Sequence, residues 1–220
     1  MSNRDTLVAL GVVAGMGGIV CADVISSTFD TDAEGWTVAD APSPVGQSTT
    51  GVPRYLDSAG NGGGFVTPPL AWPGDAFFVA PDRFLGDRSD MVGGFVAVDR
   101  RFFEPAFSGA AVQDDFAVDL TMTGASMTLA ADLAPVPLLS WGTQSVSFTG
   151  AGGWFHLDTG IAATEVEIAA VLGDLGDIRV RGNLVEEGGR MGMDNFTLVP
   201  TPGSLVLFAT SGLAVRRRRG

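Results

Sequence analysis

Glycine and proline constrain this chain most: 31 Gly and 12 Pro among 220 residues leave about one position in five unsuited to a helix interior. Long helices, and with them bundles and coiled coils, are excluded. Many short strands joined by turns are what such a chain can build. Hydrophobic residues at 45% and charged residues at 17% supply a core and argue against disorder. The expected fold class is all-β, with one short helix.

Charge and ligand chemistry narrow the function. All 13 basic residues are arginine, and the net charge is −12. That balance speaks against a nucleic-acid partner, whose binding is driven by surplus cations. One His and one Cys are too few for a Cys/His zinc site.

Both ends read as addresses. Residues 1–22 have the form of a signal peptide: Arg4 starts it, Leu7 to Val20 is apolar, and Val20-Cys21-Ala22 offers a small-residue cleavage site before Asp23. The apolar run is about 14 residues, short of the roughly 20 that span a bilayer. Cleavage after Ala22 removes the one cysteine, so no disulfide staples the mature chain. Residues 199–220 combine a hinge (Pro200, Thr201, Pro202), an apolar segment from Ser204 to Val215, and the basic stop Arg216, Arg217, Arg218 and Arg219. The arginines favour a cytoplasmic end and a passing membrane contact only. This three-part tail resembles the PEP-CTERM sorting signal of bacterial exported proteins, with Thr201 in place of the family's Glu. The resemblance implies export machinery, processing by an exosortase-type enzyme, and delivery to the cell envelope, cell surface or extracellular matrix. Setting aside Arg4 and Asp5 with the signal, and the four tail arginines, leaves 24 acids and 8 arginines, a net of −16.

The middle, residues 23–198, reads as one β-rich unit without internal repeats. Strands are expected at Phe95–Val98, Phe116–Met122, Ser126–Ala130, Ser145–Thr149, Trp154–Leu157, Ile178–Arg181 and Phe196–Val199. In the second, Phe116, Val118, Leu120 and Met122 alternate with Ala117, Asp119 and Thr121, the pattern of a half-buried strand. Ala162–Leu172 places Val166, Ala169, Ala170 and Leu172 near helical spacing, with Gly173 as a stop. Residues 41–75 read as a long surface excursion, with Gly60-Asn61-Gly62-Gly63-Gly64 as a flexible loop. It is no phosphate loop, since the chain contains no lysine.

An ordered set of motifs carries a second resemblance. Phe29-Asp30-Thr31-Asp32-Ala33-Glu34-Gly35-Trp36-Thr37 opens the unit. Ala80-Pro81-Asp82-Arg83-Phe84-Leu85-Gly86-Asp87 follows, then Gly93-Gly94. Ile178-Arg179-Val180-Arg181 and Met193-Asp194-Asn195-Phe196-Thr197-Leu198 close it. From about residue 28 to 199 the chain is similar to the laminin IV type A (laminin B) domain, with only generic strand pattern at roughly 104–150. The resemblance implies a jelly-roll-type β-sandwich, similar to carbohydrate-binding modules, in a non-catalytic extracellular protein. Trp36 is expected to anchor the first strand in the core, with Phe84 and Leu85 tucked inward.

Three constellations could carry chemistry. Asp30, Asp32, Glu34 and Gly35 begin like an EF-hand loop, but position twelve is Ala41 and no helices flank it. A structural calcium joining the first strand to the last through Asp30, Asp32 and Asp194 is the expected alternative. Trp154, His156 and Asp158 would share one strand face and could stack on a sugar and bond its hydroxyls. Glu186/Glu187, Asp114/Asp115 and Glu165/Glu167 are the carboxylate pairs a glycosidase would need. No G-x-S-x-G elbow occurs. Asn195-Phe196-Thr197 matches a glycosylation sequon, discounted because it sits in an expected strand and the tail has a bacterial form. The expected work is adhesion or the binding of extracellular polysaccharide, with such a polymer or surface proteins as partners. A glycan hydrolase and a purely structural matrix component are the alternatives.

Overall fold

A computed structural model describes residues 23–41, 49–70, 72, 74–103, 118–133, 135, 137, 139–185 and 189–201. The signal peptide and the tail from Pro202 onward, with its four arginines, lie outside these residues. So do Asp114, Asp115, Glu186, Glu187, Phe116 and Ala117.

Two antiparallel sheets face each other. Sheet A runs β10 (Gly142–Ser147), β7 (Phe95–Phe102), β14 (Gly189–Val199), β5 (Phe65–Thr67), β4 (Arg54–Leu56), with β1 (Ile25–Ser27) and β13 (Asn183–Val185) also paired to β14. Sheet B runs β11 (Phe155–His156), β9 (Met127–Ala131), β8 (Leu120–Gly124), β12 (Leu175–Arg181), β6 (Ala76–Val79), β2 (Thr37–Asp40), β3 (Thr50–Gly51). Each sheet draws strands from early, middle and late chain, the interleaved wiring of a jelly-roll-type sandwich. First and last strands meet, with Ile25 opposite Leu198 and Ser27 opposite Phe196.

The core fills the space between the sheets. Trp36 is buried as expected. Its indole lies 4.9 Å from the Phe196 ring, edge-on, and 5.6 Å from Phe84, and its Nε1 donates to Ser27 Oγ at 2.8 Å. The Phe84 ring comes from a 3-10 turn, Asp82–Phe84, after Pro81. Leu85 is half-buried against the same cluster.

Four local expectations change. The strand expected at 116–122 is described as β8, Leu120–Gly124, and it is buried on both faces. Thr121 is covered, and Asp119, just ahead of it, is 0% exposed. Alternation failed there because both sides of β8 are covered. The strand expected at Trp154–Leu157 shrinks to two residues. The helix α1 (Glu165–Gly173) begins at a Thr164 cap. The Thr164 side chain accepts from Glu167 N–H while the Glu167 carboxylate accepts from Thr164 N–H, a reciprocal box. Its buried side is Ile168, Val171 and Leu172, whereas Val166 is 79% exposed. Gly173 is the last helical residue, with Asp174 after it.

The fourth change is the Gly-rich loop. The stretch 41–75 contains β3, β4 and β5, and the loop at 60–64 is packed. Gly60 N–H donates to Gly63 O at 2.9 Å, and Asn61 N–H to Asp194 Oδ2 at 2.7 Å. A Cβ on Gly60 would meet Asp194 Oδ2 at 2.8 Å, and one on Gly63 would meet Asp30 Oδ1 at 2.6 Å. These glycines permit close approach rather than motion.

Candidate functional site

Alternation along β7 separates the two faces of sheet A. Val96 and Val98 enter the core. Phe95, Ala97, Asp99 and Arg101 therefore point outward. The register carries that outer face across neighbouring strands, pairing Thr143 with Asp99, Ser145 with Ala97, Asp194 with Asp99 and Gly192 with Arg101.

An amide–carboxylate cluster lies in the middle of this face. A bulge in β14 between Asp194 and Thr197 puts Asn195 at φ 46°. Asn195 Nδ2 then donates to Asp99 Oδ2 at 2.8 Å and to Asn61 O at 3.0 Å. Asn61 Nδ2 reaches the same Asp99 oxygen at 2.7 Å, and Thr143 Oγ1 donates to Asp99 Oδ1. Asp194 accepts from Asn61 N–H and from its neighbour Asn195 N–H. Burial raises the Asp194 pKa, and the two backbone donors oppose that shift. The Asn195 amide is committed to this network, which gives a physical reason to discount the sequon.

Beside the cluster, three rings cover Gly192. Phe65 and Phe103 stack at 5.3 Å. Trp141 meets Phe65 edge-on at 5.3 Å, and its Nε1 donates to Ala59 O at 2.8 Å. A Cβ on Gly192 would fall 2.8 Å from both Phe103 and Trp141. Only glycine lets the rings settle onto the backbone there. Phe103 and Trp141 are half-buried, so each presents part of its ring to solvent. The Arg101 guanidinium sits 5.0 Å from the Phe103 centroid. A cleft of about 430 Å³ flanks this face along β10, lined by Pro135, Pro137, Thr143 and Ser145 among others.

The expected site residues fall differently. Trp154 is a correction: it is 1% exposed, stacked on Phe148 at 6.1 Å, with Nε1 donating to Ser147 O at 2.8 Å. Its ring is covered and cannot receive a sugar. His156 turns to the helix, Nε2 standing 3.2 Å from Glu167 Oε1. Asp158 lies beyond the two-residue strand, exposed. The stripe breaks because Gly153 and the turn after His156 end the alternation. Glu167 is engaged in the helix cap, so Glu165/Glu167 is not a free acid pair.

Asp30 and Asp194 both reach the Gly60–Gly64 loop, close enough that the Asp30 charge adds to the rise of the Asp194 pKa. Asp32 is elsewhere employed, accepting from Glu34 N–H at 2.6 Å. Among the described residues, no three His, Cys, Asp or Glu are grouped to hold a metal ion. Both oxygens of Asp99 and of Asp194 accept from N–H or O–H donors. Pro200 and Thr201 leave β14 at a corner where Thr201 Oγ1 donates to Val92 O at 2.9 Å.

The aromatic cluster was not among the expected sites. Phe65, Phe103 and Trp141 are far apart in sequence, and only the strand register joins them.

A family model described as Laminin B (Domain IV) matches residues 77–202. The expected opening motif, Phe29 to Thr37, precedes that span. Among solved structures the chain is similar to the L4b domain of human laminin alpha-2. The TM-score is 0.58 at 11% identity, covering 80% of this chain and 97% of that one. At that identity the likeness speaks for the fold. No curated protein matches.

Proposed function

The chain belongs to the laminin B (domain IV) family, and from that premise we propose that it is an exported, non-catalytic module of the cell surface or extracellular matrix, working in adhesion by holding extracellular polysaccharide. The observation that carries the polysaccharide reading is the half-buried pair Phe103 and Trp141 on the outer face of sheet A. Rings fixed by packing offer flat apolar surface at low entropic cost, which suits the apolar face of a sugar. The neighbouring Thr143 and Ser145 supply hydroxyls beside the cleft. The exit of the chain at Pro200 and Thr201, beside exposed Val92, supports an accessible processing point for a sorting tail.

The test is co-sedimentation of the full chain with insoluble extracellular polysaccharide from the producing organism. Saturable retention that Phe103→Ala weakens about ten-fold is the expected result, equivalent to about 1.4 kcal/mol. Absence of retention would leave a protein-binding or purely structural surface module, and retention indifferent to Phe103 would remove the binding from this face.

A further inference from the structure

Eight arginines lie between residues 23 and 198. Four are held in ion pairs, Arg83 with Glu34, Arg100 with Asp119, Arg179 with Asp177 and Arg181 with Asp75. Arg88 is turned onto the backbone carbonyls of Phe84 and Arg83. The remaining three, Arg54, Arg101 and Arg190, enter no ion pair among the described residues.

These three share one place. Arg101 is paired across the sheet with Gly192, the glycine beneath the aromatic cluster. Phe103 N–H donates to Arg190 O at 2.9 Å, which sets Arg190 beside that ring. Arg54 is paired with Thr67. Met193 opposite Val66 fixes Thr67 next to Gly192 and on the outer face, since Met193 and Val66 belong to the core. The row across β7, β14, β5 and β4 is therefore Arg101, Gly192, Thr67, Arg54. At about 4.8 Å per strand it spans about 14 Å between the two outer residues.

Acids outnumber arginines three to one in this part of the chain, so an arginine without an acid is the less expected outcome, and three on one face are a pattern. A second observation points the same way. Two polar atoms in the row, Arg101 Nε and Thr67 Oγ1, are buried and lack a hydrogen-bond partner. Thr67 is 2% exposed. Buried donors are ordinarily satisfied, and unsatisfied ones mark places where a partner is missing.

We propose that this face binds an anionic polysaccharide, its sugar rings against Phe103 and Trp141 and its carboxylate or sulfate groups taken by Arg101, Arg54 and Arg190. The proposal rests on the polysaccharide reading above and names the class of polymer. The planar guanidinium fork matches such groups in two-pronged fashion, and its charge strengthens each hydrogen bond. The domain as a whole is acidic and repels a polyanion at long range. At about 0.15 M salt the screening length is about 8 Å, which damps the distant charges; Asp99 and Asp194, on the same face, have their oxygens taken up by Asn61, Asn195 and Thr143 donors.

The full chain is tested at that salt for binding to polygalacturonate, to neutral dextran, and to polyglutamate, which is anionic without sugar. The variants are Arg54→Gln, an exposed side chain whose replacement spares the fold, and the triple change Arg54→Gln, Arg101→Gln, Arg190→Gln, with folding followed by circular dichroism. The expected result is polygalacturonate bound at least about ten-fold more tightly than dextran, weakened about three- to ten-fold by Arg54→Gln and about a hundred-fold by the triple change. Equal binding of dextran, or indifference to Arg54→Gln, overturns the anionic assignment and leaves the polysaccharide reading standing. Polyglutamate binding as tightly as polygalacturonate overturns the sugar part. Binding of no polysaccharide, polygalacturonate and dextran included, overturns the reading on which the proposal rests.

Discussion

Removing the carboxylate of Asp119 should unseat the sandwich more than any other single charge change. Arg100 stands in β7 of sheet A, and Asp119 leads into β8 of sheet B, so their 2.9 Å contact joins the two sheets through the core. Both side chains are 0% exposed. Asp119→Ala leaves a buried guanidinium whose remaining acceptors are Gln144 Oε1 and Leu133 O. It also strips Leu133 N–H of its acceptor. Breaking one side of a buried pair costs about 3–5 kcal/mol, and the orphaned amide about 1–3 more where nothing relaxes. A loss of about 4 kcal/mol is a large part of the 5–15 that holds an ordinary domain together. The pair is itself incompletely served: Arg100 Nη1 and Asp119 Oδ1 have no hydrogen-bond partner. Its desolvation is thus only partly offset, and Arg100→Met with Asp119→Leu should recover most of the loss, ending within about 2 kcal/mol of the parent. Urea unfolding followed by tryptophan fluorescence measures both, with an unchanged denaturant slope as the check that the same surface is exposed. An Asp119→Ala loss below about 1 kcal/mol would refute the reasoning, because that is the worth of an exposed pair. A double variant as unstable as the single would show that geometry, and not charge burial, sets the cost.

Three further outcomes follow from the same contacts. Trp36→Ala should cost about 3–5 kcal/mol in urea unfolding, since the ring touches Phe29, Phe84 and Phe196 and its N–H serves buried Ser27. Thr164→Ala should cost about 1 kcal/mol by removing one half of the capping box, and should leave the denaturant slope unchanged. The raised pKa of Asp194 means the folded state holds that proton more tightly than the unfolded chain does. Stability from this group is therefore greatest below the unfolded carboxylate range and declines as pH rises toward the folded value. Asp194→Asn should flatten that decline in unfolding curves taken from about pH 4 upward, and an unchanged slope would count against burial as the cause.

The sandwich was legible because its signals are local. Glycine and proline frequency excluded long helices, and short apolar or alternating runs located half of the strands, β7 to β12 and β14, at least in part. The Thr164 to Gly173 helix was visible from spacing, although its buried side was not. Val166 satisfied the period yet faces solvent, because Ile168, Val171 and Leu172 lie toward the core. Alternation misread Asp119 for a related reason. It assigns a polar residue to solvent, and it holds no information about an arginine nineteen positions away that neutralises it from the other sheet.

The site was illegible for a deeper reason. A stripe along one strand, such as Trp154, His156 and Asp158, is visible in sequence because its members are two residues apart. A binding face on a sheet runs across strands instead, and its members are neighbours only through register. Arg101, Gly192, Thr67 and Arg54 make one row of sheet A, with the Trp141 ring laid over its glycine, so the face is drawn from five separate segments of chain. The one trace of that row in the sequence is negative: Gly192 breaks a run of large residues in Arg190-Met191-Gly192-Met193. A glycine in a strand interior weakens it unless something needs the space. Here the space is taken by the Phe103 and Trp141 rings. Gly192→Ala therefore probes the face without touching a charge. Its Cβ would meet both rings at 2.8 Å, so the rings must shift outward, at a cost of about 1–3 kcal/mol. If polysaccharide retention depends on rings seated at that depth, Gly192→Ala should weaken it while leaving Arg54 and Thr67 in place. Retention unchanged in a folded Gly192→Ala protein would mean that ring position does not matter, and the aromatic part of the reading would fall.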